Sequence, residues 1–207
     1  INPRWGIRSE TIPYLNYQEA IELSLMDTPV LHPSTIEPLI EPNIQLEVRH
    51  LYHSNHDEKT VIGPELPEKE LKAVGCLPNV ISLGFSHHHV DSHQRQLVKI
   101  LGELAKNEVH WWGLESRLGD SRLIVSQHDM HRASTIFEQF NIDANHHQHL
   151  GLLSLIGCKE ADVETINTLF DTTEFELSWL NQTSSAARVA IDGEDLSRLF
   201  TYGFSRK

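Results

Sequence analysis

Histidine is the residue type in this chain best able to do chemistry, and it is clustered. His87-His88-His89 precede His93, and His146-His147 precede His149. A zinc centre needs three or four ligands converging from fixed positions, commonly with cysteine or carboxylate among them. His89 and His93 are four residues apart and would share a helix face if a helix began early. Asp91 and Ser92 read instead as the helix start, which leaves His87–His89 in the preceding loop. Cys76 and Cys158 are not spaced with either cluster, so the clusters read as solvated loop histidines and no metal site is expected. The cysteines themselves sit in apolar or glycine settings and read as buried free thiols in a reducing cytoplasm. His32, between Leu31 and Pro33, reads as a locally hydrogen-bonded part of a packed hinge rather than as a general base.

The elements that would carry these side chains form a repeat. Residues 71–207 read as two copies of strand, helix, strand, strand, helix. The first copy is Val80–Phe85, Ser92–Asn107, Val109–Leu114, Arg122–Ser126 and Met130–Phe140. The second is Leu152–Ile156, Asp162–Phe170, Phe175–Leu180, Ala187–Ile191 and Glu194–Phe200. That order matches a split βαβ, ferredoxin-like plan. Leu97, Ile100, Leu101 and Leu104 make an apolar helical stripe, as do Ala133, Ile136, Phe137 and Phe140. Each helix pair should cover one face of a four-stranded antiparallel sheet and leave the other face or an edge for pairing. Units of this kind bind small ligands and carry no obvious chemistry, so a regulatory role is the first hypothesis.

The first 63 residues have a different texture. Asn16 and Glu19 form a helix-start arrangement, followed by an amphipathic Tyr17–Ser24. Pro29 and Pro33 break it, and a short helix should run from Ser34 or Thr35 to near Pro42. Ile44, Leu46 and Val48 alternate with polar residues, as in a half-buried strand. Gly63–Glu70, with two prolines and four charges, is a stiff, solvated linker. A net charge of −12 argues against a nucleic-acid partner, which needs a basic face. No apolar run approaches twenty residues, so no membrane span is expected, and no signal peptide is visible.

Tyr17–Ser24, Val30-Leu31-His32-Pro33, Thr35-Ile36-Glu37-Pro38, Asn43-Ile44 and Val61-Ile62-Gly63 together resemble the end of the aspartokinase catalytic domain. Asn2-Pro3-Arg4 lies where that family has Asp-Pro-Arg, and the two repeats look like the paired ACT domains that follow the kinase. Asp27-Thr28-Pro29 stands where most members have Gly-Ala-Lys, which looks like the type II bifunctional aspartokinase/homoserine dehydrogenase. A homoserine dehydrogenase would begin just beyond Lys207; the chain itself holds no G-x-G-x-x-G.

The resemblance implies transfer of the ATP γ-phosphoryl group to the aspartate side chain by the intact enzyme, with Mg2+. It implies nucleotide contact through Arg4, whose guanidinium suits a phosphate, and through the backbone of Val30. The family's catalytic lysine, glycine-rich segment and aspartate-binding residues are absent here, so this chain is expected to hold no catalytic residue, no cofactor and no activity of its own. The effector loop of the first unit, Ser86–Leu97, lacks the family's glycine, with Arg95-Gln96 where Gly-Phe would sit. Trp112 falls where the family has an aspartate, and the second loop, Gly157–Asp162, is shortened. Leu97, Val109 and Trp112 would line a degenerate effector pocket. Trp111 and Trp112 read as core or interface packing.

The expected fold class is therefore α+β. Two ferredoxin-like ACT units, residues 71–145 and 146–207, follow a C-terminal remnant (1–63) of an α/β amino-acid-kinase domain and a linker (64–70). The chain reads as the regulatory and dimerising part of a cytoplasmic aspartate kinase, cut out of a longer protein that starts lysine, threonine and methionine synthesis. The ACT units should form a homodimer, and ATP and L-aspartate are ligands of the intact enzyme only. The alternative of a different class is a stand-alone amino-acid-sensing module without kinase activity.

Overall fold

The structure, a computed structural model, describes residues 10–26, 31–49, 58–65, 71–86, 90–117, 119–157 and 177–198. It divides into two compact units. One is residues 78–151; the other joins residues 1–77 to residues 152–207. The first is thus inserted into the second, where the repeat in the sequence had suggested a tandem break between 145 and 146. The reason lies in two long strands. β4 (Ala73–Ser86) and β7 (Asn145–Ile156) each cross a unit boundary. Asn79 in β4 and His149 in β7, near those boundaries, take positive φ of 61° and 69°.

In the discontinuous unit, β1 (Tyr14–Asn16) leads directly into α1 (Tyr17–Leu25). Asn16 Oδ1 accepts from the Glu19 amide at 2.8 Å, and the Glu19 carboxylate accepts from the Asn16 amide at 2.8 Å. This capping box satisfies two backbone donors that a helix start otherwise leaves open. α2 (Pro33–Ile40) starts one position earlier than the sequence suggests, with His32 as its cap and Pro33 in its first turn. β2 (Leu46–Arg49) pairs antiparallel with β3 (Lys59–Gly63), and β3 pairs parallel with β1. Ile44, expected in the strand, instead closes α2: its amide bonds to Leu39 and the Asn43 amide to Ile40, with Asn43 left-handed. That is a Schellman cap.

This front segment does not close a core of its own. Leu15, Tyr17, Ala20, Ile36 and Ile62 share one apolar cluster with Ala73, Ile156 and Ala186. Three short strands and two short helices enclose too little volume to be stable alone, so they borrow a neighbour's sheet. In that sheet the first half of β4, β7, β9 (Ala186–Asp192) and β8 (Leu177–Gln182) are successive neighbours. β9 runs into α5 (Gly193–Arg198), where Leu196 is buried. The expected helix Asp162–Phe170, Cys158 and the end of the last helix lie outside the described residues.

The inserted unit holds α3 (Val90–Lys106), β5 (Trp111–Arg117), β6 (Asp120–Ser126) and α4 (Met130–Gln139) between the inner parts of β4 and β7. The chain order from β4 to β7 is βαββαβ. β6 lies between β4 and β5 and is antiparallel to both. Ile81, Leu83 and Phe85 meet Leu97, Ile100 and Leu104 from α3 and Ala133, Ile136 and Phe137 from α4. The helical stripes read from the sequence are therefore the buried faces. α3 and α4 both end in Schellman caps, with Glu108 and Asn141 left-handed and the amides of Val109 and Ile142 bonded to Leu104 and Phe137. Val109 is thereby the cap residue of a helix and not, as expected, the first residue of a strand.

Candidate functional site

Two polar constellations stand out, one in each unit. In the inserted unit, His93 is wholly buried in the first turns of α3, at 0% exposure. Its Nε2 lies 2.7 Å from Ser121 Oγ on β6, and Ser121 donates to Ser116 Oγ on β5 at 2.9 Å. The Nδ1 atom has no hydrogen-bond partner among the described residues. The ring stacks at a tilt against Phe85, 5.1 Å between centroids, and Phe85 meets Phe137 edge-on. This corrects the reading of His93 as one of a solvated cluster. One turn of helix carries the ring onto the core face, whereas His146 and His149 are exposed, on β7 rather than in a loop. His87–His89 lie outside the described residues. Among the described residues no three His, Cys, Asp or Glu side chains converge as a metal site would require.

The second constellation joins α1 to the sheet of the discontinuous unit. The Glu19 carboxylate that caps α1 also accepts from Lys72 Nζ at 2.7 Å, with the two side chains only 3% and 12% exposed. Lys72 immediately precedes β4, and its amide is bound to the Ile156 carbonyl on β7 at 2.9 Å. Its ammonium lies 5.7 Å from the centroid of the Tyr14 ring. The Tyr14 hydroxyl donates to the Pro64 carbonyl at 2.6 Å, and a Cβ on Gly63 would fall 2.6 Å from that hydroxyl. Glycine is needed there for close approach. Burial foremost, then Tyr17 and Glu19 nearby, raises the Tyr14 phenol above its ordinary pKa. One turn along α1, Glu22 pairs with Arg188 of β9, the side chains 13% and 14% exposed. Only the cap was legible in the sequence. The partners lie 53 and 166 residues away, and nothing local marks them.

The residues singled out from the sequence are scattered. Leu97 and Val109 are core residues of the inserted unit, 9% and 1% exposed, so their side chains serve packing. Trp112 is half-buried on β5 and Trp111, beside it at a register shift, is 37% exposed. Arg4 and Val30 lie outside the described residues. His32 is exposed rather than packed, and its Nδ1 sits 2.7 Å from Ser34 Oγ, a local bond as expected. Cys76 is buried, as expected. No described helix is long and apolar enough to cross a membrane.

No family model matches the chain. Among curated proteins it is 21% identical, over 168 residues, to a bifunctional aspartokinase/homoserine dehydrogenase of Buchnera aphidicola subsp. Acyrthosiphon pisum. The match takes in 75% of this chain and 21% of that protein. Among solved structures it superposes on Clostridium acetobutylicum aspartate kinase with a TM-score of 0.80 at 19% identity, over 99% of this chain and 50% of that one. The structure of Escherichia coli aspartokinase III in complex with aspartate and ADP gives a TM-score of 0.72 at 19% identity, over 91% and 45%. The chain thus spans about a fifth of the curated relative and half of the aspartate kinase it folds like. The resemblance read from residues 17–63 and from the repeats is the one these comparisons return. The fold is the mixed α+β arrangement of aspartate kinases and their regulatory ACT units.

Proposed function

We propose that this chain is the C-terminal regulatory and pairing part of an aspartate kinase, of the bifunctional aspartokinase/homoserine dehydrogenase kind. The intact enzyme would phosphorylate the side chain of L-aspartate with ATP and Mg2+. The observation that carries the reading is a fold shared with an aspartate kinase over 99% of this chain but only half of the other. Arg4 and Val30 would contribute a phosphate contact and a backbone contact to a nucleotide held mostly by residues outside this chain. Leu97, Val109 and Trp112 would be the residue of an effector site. Two core side chains and an indole offer no charge to an amino acid. The intact enzyme would be cytoplasmic.

Pairing would give a homodimer. β5 ends its sheet, so among the described residues its outer edge has no strand partner, and it carries the exposed Trp111. An open edge strand with an aromatic side chain is a template for a second copy. The test of the functional reading is a coupled assay with ATP, Mg2+ and L-aspartate. The purified chain should give no turnover above the blank. It should gain turnover when supplied with an N-terminal aspartokinase segment that is inactive alone. Turnover by this chain by itself would overturn its assignment as a regulatory part, and failure of every such segment to be activated would overturn the assignment to aspartate kinase.

A further inference from the structure

We propose that α1 is a coupling lever, clamped by Glu19 and Glu22 across the sheet of its unit so that displacement of β4 or β9 moves α1. The proposal rests on the reading above, in which α1 belongs to the kinase remnant and the sheet to a regulatory unit.

The geometry is that of a bridge. Glu19 and Glu22 are three residues apart and so lie on one face of α1. Glu19 reaches Lys72 at the entry of β4, and Glu22 reaches Arg188 on β9. In the sheet β7 stands between those two strands, so the anchors are about 10 Å apart at ordinary strand spacing. Ala20, between the two glutamates, is buried in the same cluster as Ile156 and Ala186. The helix therefore lies over the sheet and is gripped at both sides. Nine residues are too few to hold a helix in water without tertiary support, so the state of α1 follows the anchors.

The ion pairs differ from ordinary surface pairs. All four side chains are at most 14% exposed, and Glu19 also accepts the Asn16 amide. Losing one partner of such a pair leaves a buried charge uncompensated. Apolar contacts alone would let α1 slide. Two hydrogen-bonded charge pairs fix it in register with particular strands, so strand shear is passed on rather than absorbed. α1 ends at Leu25, and α2, capped by His32, begins at Pro33.

Hydrogen exchange read by mass spectrometry on the 207-residue chain tests this without any nucleotide. Lys72→Met and Arg188→Met should each speed exchange of the α1 amides roughly ten- to a hundredfold, while α4 amides in the inserted unit change less than about twofold. Glu22→Gln, which keeps shape and removes charge, should act like Arg188→Met and covers the case in which that variant does not fold. The decisive arm is Val189→Ala, which loosens β9 at a fully buried position. It should speed α1 exchange in the otherwise native chain and do so much less in the Glu22→Gln background. An equal effect in both backgrounds, or α1 exchange unmoved by either ion-pair variant, overturns the lever. Neither result bears on the kinase assay, so the two readings fail separately.

Discussion

The close fit between β4 and the end of α1 makes one glycine a sharp test of the packing. Gly75 is buried, and a Cβ built on it would lie 2.7 Å from Met26 Cβ and 2.8 Å from Met26 Cγ. Ordinary carbon contacts are about 3.5–4.0 Å, so Gly75→Ala must displace either the helix end or the strand. Met26 is 1% exposed, and the atoms approached are its Cβ and Cγ rather than the far end of the side chain, so it cannot simply swing away into solvent. Overpacking of this kind costs about 1–3 kcal/mol. Gly→Ala also narrows the unfolded ensemble, which is worth about 0.4–1 kcal/mol in the stabilising direction. The net expectation is destabilisation by roughly 0.5–2 kcal/mol. Gly102 supplies the control. It is exposed on α3, and a Cβ there meets nothing within 4 Å. Gly102→Ala gains helix propensity with no clash and should stabilise the inserted unit by about 0.5–1 kcal/mol. The same chemical change thus has opposite signs at two glycines. Urea unfolding followed by helical circular dichroism measures both, as midpoint shifts at constant slope. A Gly75→Ala variant as stable as the parent would refute the packing of α1 against β4.

Other outcomes follow from the same structure. Glu108 is exposed and left-handed at the end of α3, where its charge also opposes the helix dipole. Glu108→Gly should stabilise by about 1 kcal/mol and Glu108→Gln by a few tenths, read by fluorescence of the nearby Trp111 and Trp112. Because the Tyr14 phenol is raised above its ordinary value of 10.0, the folded state holds that proton more tightly than the unfolded one. Its contribution is complete below pH 10 and is lost as pH climbs through the folded value. Tyr14→Phe should therefore flatten the fall in stability above about pH 10, measured by thermal melts in alkaline buffers. At −12 charges per chain, salt should tighten the proposed homodimer slightly, and sedimentation showing monomers at micromolar concentration in low and high salt would contradict pairing. Neither lysine nor threonine should give saturable heat with a micromolar constant in titration calorimetry. On the proposed reading, in which Trp112 replaces an aspartate, loss of that charged partner for the ammonium group costs about 2–5 kcal/mol.

Local signals carried much of this protein. The capping pair Asn16 and Glu19 and the apolar stripes of α3 and α4 depend on residues within one or two turns of each other, and each formed where the pattern put it, whereas Pro33, read as a break, opens α2. The blocks Tyr17–Ser24, Val30–Pro33, Thr35–Pro38, Asn43-Ile44 and Val61–Gly63, taken together with the repeats, pointed to the kind of fold. What tertiary structure alone decided are the relations between distant segments. Whether two βαββαβ copies follow one another or one is inserted in the other turns on how far β4 and β7 extend, and strand length is set by the neighbours that supply hydrogen bonds. His93 falls within the expected helix but reads as one more polar residue beside a histidine-rich loop, and only the packing of that helix turns it beneath the sheet toward Ser121. Glu19 looks complete as a helix cap. Only the arrival of Lys72, 53 residues later, makes it an anchor as well, and Glu22 waits for Arg188 across 166 residues. Side-chain periodicity records which face is buried; it does not record what that face is buried against.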